Sequence, residues 1–250
     1  RNRLYLIKPH EHSYPVCWRC KEELIYRLVP SWFITTEELK PRLIRNAMSV
    51  KWEPESNGKR MLDWLNNMGN WNISRKRYYG MPLPFYVCED CGNVHVVGSI
   101  AELKELAVDP AKVDALPELH RPWIDEVEIK CPKCGKAVKR ITDVGDVWLD
   151  AGIVPFSTTG YFDDKEEWRK NFPAEWVVEM REQVRLWFYS LLFMSTVLED
   201  RAPYERVLCH SSVIQENGQK FSKTGYMIRF DEAAEKIGAD TVRYLYAGAP

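Results

Sequence analysis

What this 250-residue sequence lacks narrows it first. No apolar run reaches the ~18 residues needed to cross a bilayer, so a membrane partner is not expected. Its start, Arg1-Asn2-Arg3-Leu4, has neither an initiator Met nor a signal-peptide architecture, and reads as a cut inside a longer protein. The formal net charge of −1 excludes a global positive field for recruiting nucleic acid, so any such contact must use local patches. Beyond three cysteine pairs there is no internal repeat, and there is no low-complexity segment. What remains is an ordinary globular composition, long enough for a core and one or two domains.

Cysteine is the informative minority. Six of the seven fall in Cys-x-x-Cys pairs, at 17/20, 88/91 and 131/134. Without a secretion signal, such pairs favour zinc over disulfides. Gly92 and Gly135 follow the last two pairs and ease the turn that aims backbone amides at sulfur. These matched pairs predict one closed four-thiolate site for structural Zn2+, made by Cys88, Cys91, Cys131 and Cys134. Six free structural thiols are the competing reading. Cys17 and Cys20 form half of a second site, its other half expected upstream of residue 1 rather than in a later pair. Cys209 reads as a buried strand residue.

The periodicities predict helices over 36–48, capped by Thr36, and over 58–68, where Met61, Leu62, Trp64, Leu65 and Met68 form a core-facing stripe. Residues 1–16 read as strand-like, 71–74 as a strand end and 99–107 as helical. Then 176–180 reads as a short buried strand, 181–198 as one long helix and 205–210 as a second strand, the βαβ signature of a parallel sheet. A further strand over 212–215 leads into an Asn217-Gly218 hairpin, and Asp231 is placed to cap a helix. Ligands of such sheets bind at the carboxyl ends of the strands, which puts Glu179, Glu182, Gln183, His210 and Lys220 to Lys223 on one rim.

That rim carries Lys220-Phe221-Ser222-Lys223-Thr224, two ammonium groups around a small hydroxyl, flanked by Gly218 and Gly225. Lysine can follow charge that moves during phosphoryl or nucleotidyl transfer. A solvated hairpin tip is the plain alternative. Ser74-Arg75-Lys76-Arg77-Tyr78-Tyr79-Gly80, after Trp71, reads as a wall for a nucleotide or a tRNA end, with Arg for phosphate and aromatics for stacking, or else as a basic surface loop. The acids Asp143, Asp146 and Asp150 read as positioning groups.

Taken together, Leu208-Cys209-His210, the hairpin, the lysine pentapeptide and Gly238-Ala239-Asp240 resemble the KMSKS region of the class I aminoacyl-tRNA synthetases, the isoleucyl members above all. Residues 71–80 resemble the family's W-x-I-S-R-Q-R-Y-W-G, 143–152 its D-V-W-F-D-S-G, and 179–188 its E-G-x-D-Q-x-R-G-W-F. Met180 and Leu186 replace Gly, Glu182 replaces Asp, and Ser211 stands where Gly commonly follows the histidine. The family's His-x-Gly-His stretch is absent.

The resemblance implies an α/β fold: the C-terminal half of a Rossmann-type parallel sheet with a zinc-binding connective insert. Residues 1–140 would be the connective region and 141–250 the second half of the catalytic domain. It implies a ligase that uses ATP with Mg2+ to activate isoleucine and load tRNA, in the cytoplasm, together with the missing N-terminal half of the same synthetase. Lys220, Ser222 and Lys223 would be catalytic. Glu179, Glu182, Gln183 and His210 would hold the adenylate, and Trp71, Ser74, Arg75 and Arg77 would wall the amino-acid and tRNA end. A valyl enzyme is the runner-up. A non-catalytic zinc module that binds tRNA or a partner, and a purely structural zinc domain, are readings of other classes.

Overall fold

The computed structural model describes residues 3–17, 19–222 and 225–248. The chain divides into two compact units, Arg1–Ser31 and Trp32–Pro250. The small unit contains no regular strand among its described residues, contrary to the expectation for 1–16. Leu4 to Ile7 are solvent-exposed with no partner strand, and among the described residues the unit's β pairing is a single bridge, Val16 to Glu23.

The large unit opens with β1 (Phe33–Ile34), α1 (Lys40–Met48), β2 (Lys51–Glu53) and α2 (Ser56–Asn67). Thr36 does not cap α1. Its carbonyl accepts the amides of Leu39 and Lys40 in a turn, both at 3.0 Å, and its hydroxyl donates to Gly69 O at 3.2 Å. The helix proper begins where Pro41 can sit in its first turn, which needs no amide donor. In α2 the apolar stripe faces inward as its spacing predicts, with Met61 and Leu65 fully buried.

β3 (Trp71–Asn72) and β4 (Ser74–Arg75) follow. A cysteine-bearing module then holds β5 (Phe85–Val87), β6 (Val94–Val96), α3 (Ile100–Leu106), α4 (Pro110–Asp114), β7 (Glu128–Lys130) and β8 (Ala137–Lys139). It consists of two antiparallel hairpins, β5 with β6 and β7 with β8, around a core of its own that includes Leu103, Val127 and Ile129. Ser99 caps α3, accepting from the amide of Glu102.

The chain returns through β9 (Val144–Gly145), which pairs with β4, and through three short helices, α5 (Val147–Gly152), α6 (Val154–Ser157) and α7 (Lys165–Lys170). β10 (Ala174–Met180), α8 (Trp187–Glu199) and β11 (Tyr204–His210) make the expected βαβ unit. The sheet is parallel throughout, in the order β10-β11-β2, with Met180 opposite His210 and Lys51 opposite Arg206. Its first strand within the chain, β2, thus comes from residues 51–53, far ahead of the other two. α9 (Phe230–Ile237) and α10 (Ala239–Gly248) close the described chain. Arg229 is the N-cap of α9, while Asp231 lies in its first turn, paired with Arg229 at 3.1 Å.

Helices α1, α2 and α8 cover one face of the sheet, burying Leu43, Met61, Phe188, Leu192 and Val207 together. The other face is open. Trp176 is 57% and Val178 50% exposed, so β10 is half-buried rather than the buried strand its apolar run suggests. The predicted long helix is broken as well. Arg181–Arg185 forms a 3-10 turn, and Leu186, at φ −123° and ψ −107°, separates it from α8. Gln183 explains the break: its Oε1 accepts the amide of Trp187 at 3.1 Å and starts the new helix.

Helix α5 lies so close to α8 that a Cβ on Gly152 would stand 2.7 Å from Ser190 O. Gly152→Ala is expected to cost about 1–3 kcal/mol, as overpacking against an unyielding backbone does. Urea unfolding followed by circular dichroism measures it, and an unchanged midpoint contradicts the close approach.

Candidate active-site rim and thiolate centre

The parallel register brings the carboxyl ends of β10 and β11 side by side, with Glu179 next to Cys209 and Met180 next to His210. Glu179 Oε2 accepts the amide of Met180 at 2.6 Å, and His210 Nδ1 donates to Ser211 O at 3.0 Å. The lysine loop reaches this edge. Lys220 Nζ lies 3.4 Å from Glu182 Oε1 at the head of the 3-10 turn. The backbone amide of Glu182 holds its carboxyl below the usual range, against its partial burial, and Lys220 adds to that. Glu182 Oε2 is buried without a hydrogen-bond partner, an acceptor that still lacks a donor.

Within the loop, Gly218 adopts φ +80°, and Gly218 N donates to Gln215 O at 2.9 Å, as an Asn-Gly turn requires. The strand expected over 212–215 shrinks to one bridge, Ile214 with Lys220. Phe221 stacks on Tyr226, and Ser222 N donates to Tyr226 O at 3.3 Å. Lys223 lies outside the described residues.

The basic stretch is anchored by the acid-rich loop. Asp146 Oδ2 accepts from Arg75 Nη2 at 2.5 Å and from Trp71 Nε1 at 3.2 Å, while its Oδ1 caps α5 through Trp148 N. Lys76 Nζ meets Asp143 Oδ1 at 2.8 Å. Ser74 Oγ accepts the amide of Trp32. Arg75 is therefore already neutralised, whereas Arg77 is exposed and has no ion pair among the described residues. Tyr79 stacks on His120, and Arg121 lies over the Tyr78 ring. The Arg121–Asp125–Arg140 network behind this loop is not legible from the residues alone, because its members look like ordinary surface charges.

Cys88, Cys91, Cys131 and Cys134 converge, with ligand atoms all within 4.8 Å of one another. Both knuckles use one turn. Cys88 N donates to Asn93 O and Gly92 N to Cys88 O; Cys131 N donates to Lys136 O and Gly135 N to Cys131 O, at 2.7–2.8 Å. Gly92 (φ +67°) and Gly135 (φ +75°) take the left-handed position. Burial pushes the Cys131 thiol up, but the amides of Cys134 and Lys133 and the thiols of Cys134 and Cys91 outweigh it and bring it to about 6. Such a donor set fits a tetrahedral thiolate metal.

Cys17 repeats the turn in the small unit. Cys17 N donates to Glu22 O and Lys21 N to Cys17 O, both at 2.8 Å, with Lys21 holding φ +65° where the other knuckles have glycine. Among the described residues no third ligand joins Cys17 and Cys20 within that unit.

The family model described as tRNA synthetases class I (I, L, M and V) matches residues 15–250. Isoleucine–tRNA ligase of Saccharolobus solfataricus is 42% identical over 97% of this chain and 24% of its own length. The same enzyme of Methanothermobacter marburgensis is 39% identical over 100% of this chain and 24% of its own. The chain thus spans about a quarter of the length of the curated relatives it matches. Among solved structures, LeuRS of Agrobacterium radiobacter K84, in ternary complex with tRNA and LeuAMS, matches with a TM-score of 0.51 and 25% identity, over 70% of this chain and 24% of that one. Methionyl-tRNA synthetase of Mycobacterium tuberculosis bound to methionyl-adenylate shares the fold, with a TM-score of 0.55 and 14% identity over 93% of this chain and 36% of that one. A parallel sheet with its charged carboxyl rim and a family match over nearly all its residues lead to one assignment: this chain belongs to the class I tRNA synthetases.

Proposed function

We propose that this chain is part of an isoleucyl-tRNA synthetase, which activates isoleucine with ATP and transfers it to tRNA. The observation that carries the reading is the rim: Lys220 beside Glu182, whose buried Oε2 lacks a donor. A ribose hydroxyl of the adenylate supplies such a donor, and Glu179, Gln183 and His210 border the same edge. In the reaction the isoleucine carboxylate oxygen bonds to the α-phosphorus of ATP, the bond from that phosphorus to the β-phosphate oxygen breaks, and pyrophosphate leaves with the electron pair. Lys220 and Lys223 stabilise the charge that moves onto pyrophosphate, Mg2+ accompanies the ATP, and Ser222 holds the loop between them. The curated relatives named above support isoleucine over valine.

Arg77, without an ion pair among the described residues, is the better phosphate contact for the tRNA end, with Trp71, Ser74 and Arg75 forming the wall that places it. The four clustered thiols hold a structural zinc, which would fix the two hairpins to each other. In this reading the cysteine-bearing part is the insert, whereas the α1–β2–α2 segment goes with the sheet it joins rather than with the connective region expected over 1–140. The open face at Trp176 and Val178 supports a further part of the synthetase as its cover, since parallel sheets are covered on both faces. A cytoplasmic location accords with this role; among the described residues no helix is long and apolar enough to cross a membrane.

The chain carries no His-x-Gly-His stretch, so alone it is expected to give no isoleucine-dependent pyrophosphate exchange. Exchange above that of a Lys220→Ala/Lys223→Ala double variant contradicts this expectation. The assignment itself is tested in the full-length synthetase, where the same double variant is expected to abolish exchange with isoleucine.

A further inference from the structure

The cysteine-bearing module contains a cavity of ≈ 360 Å³ that neither the thiols nor the rim accounts for. One wall is Met81, Pro82 and Pro84, where the chain leaves the basic stretch. That wall is pinned by backbone bonds from Gly145 N to Met81 O at 2.6 Å and from Leu83 N to Asp143 O at 3.2 Å. Opposite stand Ile100 and Leu103 of α3, with Ile124 beside them. Apart from Ser99, whose hydroxyl caps α3, the polar side chains of the lining are Tyr86 and Arg140, which sit together on an antiparallel bridge.

Both polar groups are deeply buried, at 2% and 5% exposure, and both keep unused hydrogen-bonding capacity. A guanidinium has five N–H donors. Arg140 Nη1 donates to Leu83 O at 3.1 Å and to Asp143 O at 2.8 Å, and Nη2 meets the Asp125 carboxylate. Its Nε is buried without a partner. The Tyr86 hydroxyl has no hydrogen-bond partner among the described residues either. A buried orphan such as Arg140 Nε is rare in folded proteins and costs about 1–3 kcal/mol, while the Tyr86 hydroxyl, not closed off from solvent, is a donor still open to a ligand. The charge is already matched, because Asp125 faces Arg140 and also binds Arg121 Nε at 2.6 Å. An anion gains little there, whereas a neutral acceptor can take up the Tyr86 hydroxyl.

We propose that this cavity is a binding site for a small, neutral, largely apolar molecule with one carbonyl-type acceptor. Its body lies between the Met81–Pro84 wall and α3, and its oxygen accepts from the Tyr86 hydroxyl. The volume falls within the range of ligand pockets, and an apolar lining with a few convergent polar groups is their usual chemistry. Binding there bears directly on the segment that carries Tyr78 and Tyr79.

Acetophenone and ethylbenzene, alike in shape but differing in the acceptor, are the probes, titrated into the 250-residue chain and followed by amide NMR. Acetophenone is expected to give saturable shifts at Gly98, Ser99 and Ile100, with ethylbenzene roughly tenfold weaker, the worth of a good hydrogen bond. Tyr86→Phe is expected to weaken acetophenone about threefold or more and leave ethylbenzene unchanged. Ile100 is 58% exposed at the cavity mouth, so Ile100→Trp keeps the fold and is expected to block both probes. No saturable shift up to the solubility of acetophenone overturns the site. Equal affinity for the two probes, or a Tyr86→Phe variant that still prefers acetophenone as strongly, overturns the assigned ligand class.

Discussion

Chelating zinc from the folded chain is expected to unfold residues 85–139 while leaving the parallel sheet standing. The two regions have separate cores, one around Leu103, Val127 and Ile129 and the other around Leu43, Phe188 and Leu192. The cysteine-bearing module is small, with strands of three residues, and a domain of that size is marginal without a staple. Structural zinc supplies ~10 kcal/mol or more of folding free energy in small zinc peptides. Cys88, buried in the module core, would be both ligand and packing residue, so Cys88→Ser is expected to reproduce the loss. Hydrogen exchange separates the regions: amides of Leu103 and Ile129 should lose protection on chelation, and those of Leu192 and Val207 should keep it. Freshly purified protein without zinc by elemental analysis, or unchanged protection at Ile129, refutes the structural role.

In the complete enzyme, Lys223→Ala is expected to slow adenylate formation about 100-fold with little change in isoleucine binding. The lysine loop follows a tight turn at Gly218 and is ordered at its base by Phe221 and Ser222 against Tyr226. Lys220 is already engaged with Glu182, a contact between exposed groups that a phosphate can displace. A lysine that meets phosphate as charge moves to pyrophosphate stabilises the transition state more than the ground state, so its loss appears in the rate. Removing one preorganised donor of this kind costs on the order of 3 kcal/mol. Lys223→Arg should restore only part, since a planar fork does not follow the phosphate as a point charge does. Single-turnover adenylate formation is the measurement. A rate for alanine within about twofold of wild type, far short of the loss such a donor commands, makes the loop a solvated hairpin.

Much of this arrangement was legible in the residues. Spacing alone found the thiol cluster, because a four-thiolate site repeats one short turn and marks it with glycine. The βαβ unit was legible because strand and helix differ in apolar period. Side-chain capping was harder to see. Gln183 breaks a helix that the stripe at Val184, Phe188 and Leu191 would carry straight through, and Thr36 spends its hydroxyl on Gly69. The anchoring of Arg75 by Asp146 crosses 71 residues and leaves no local trace. The open face of β10 was misread because apolar composition reports what a strand can bury, not what lies over it.

The sheet also carries a kinetic consequence. Its order sets β2 beside β11, and the same junction is clasped by Arg42 and Arg45 of α1 on Asp200 at the end of α8, groups 158 and 155 residues apart. Closing so long a loop before any contact rewards it is slow. The cysteine-bearing module, whose hairpins and turns are local, can form first inside that loop and shorten the distance the ends must search. Folding of this chain is therefore expected to run from the cysteine-bearing module outward, with the joining of β2 to β11 as its late event.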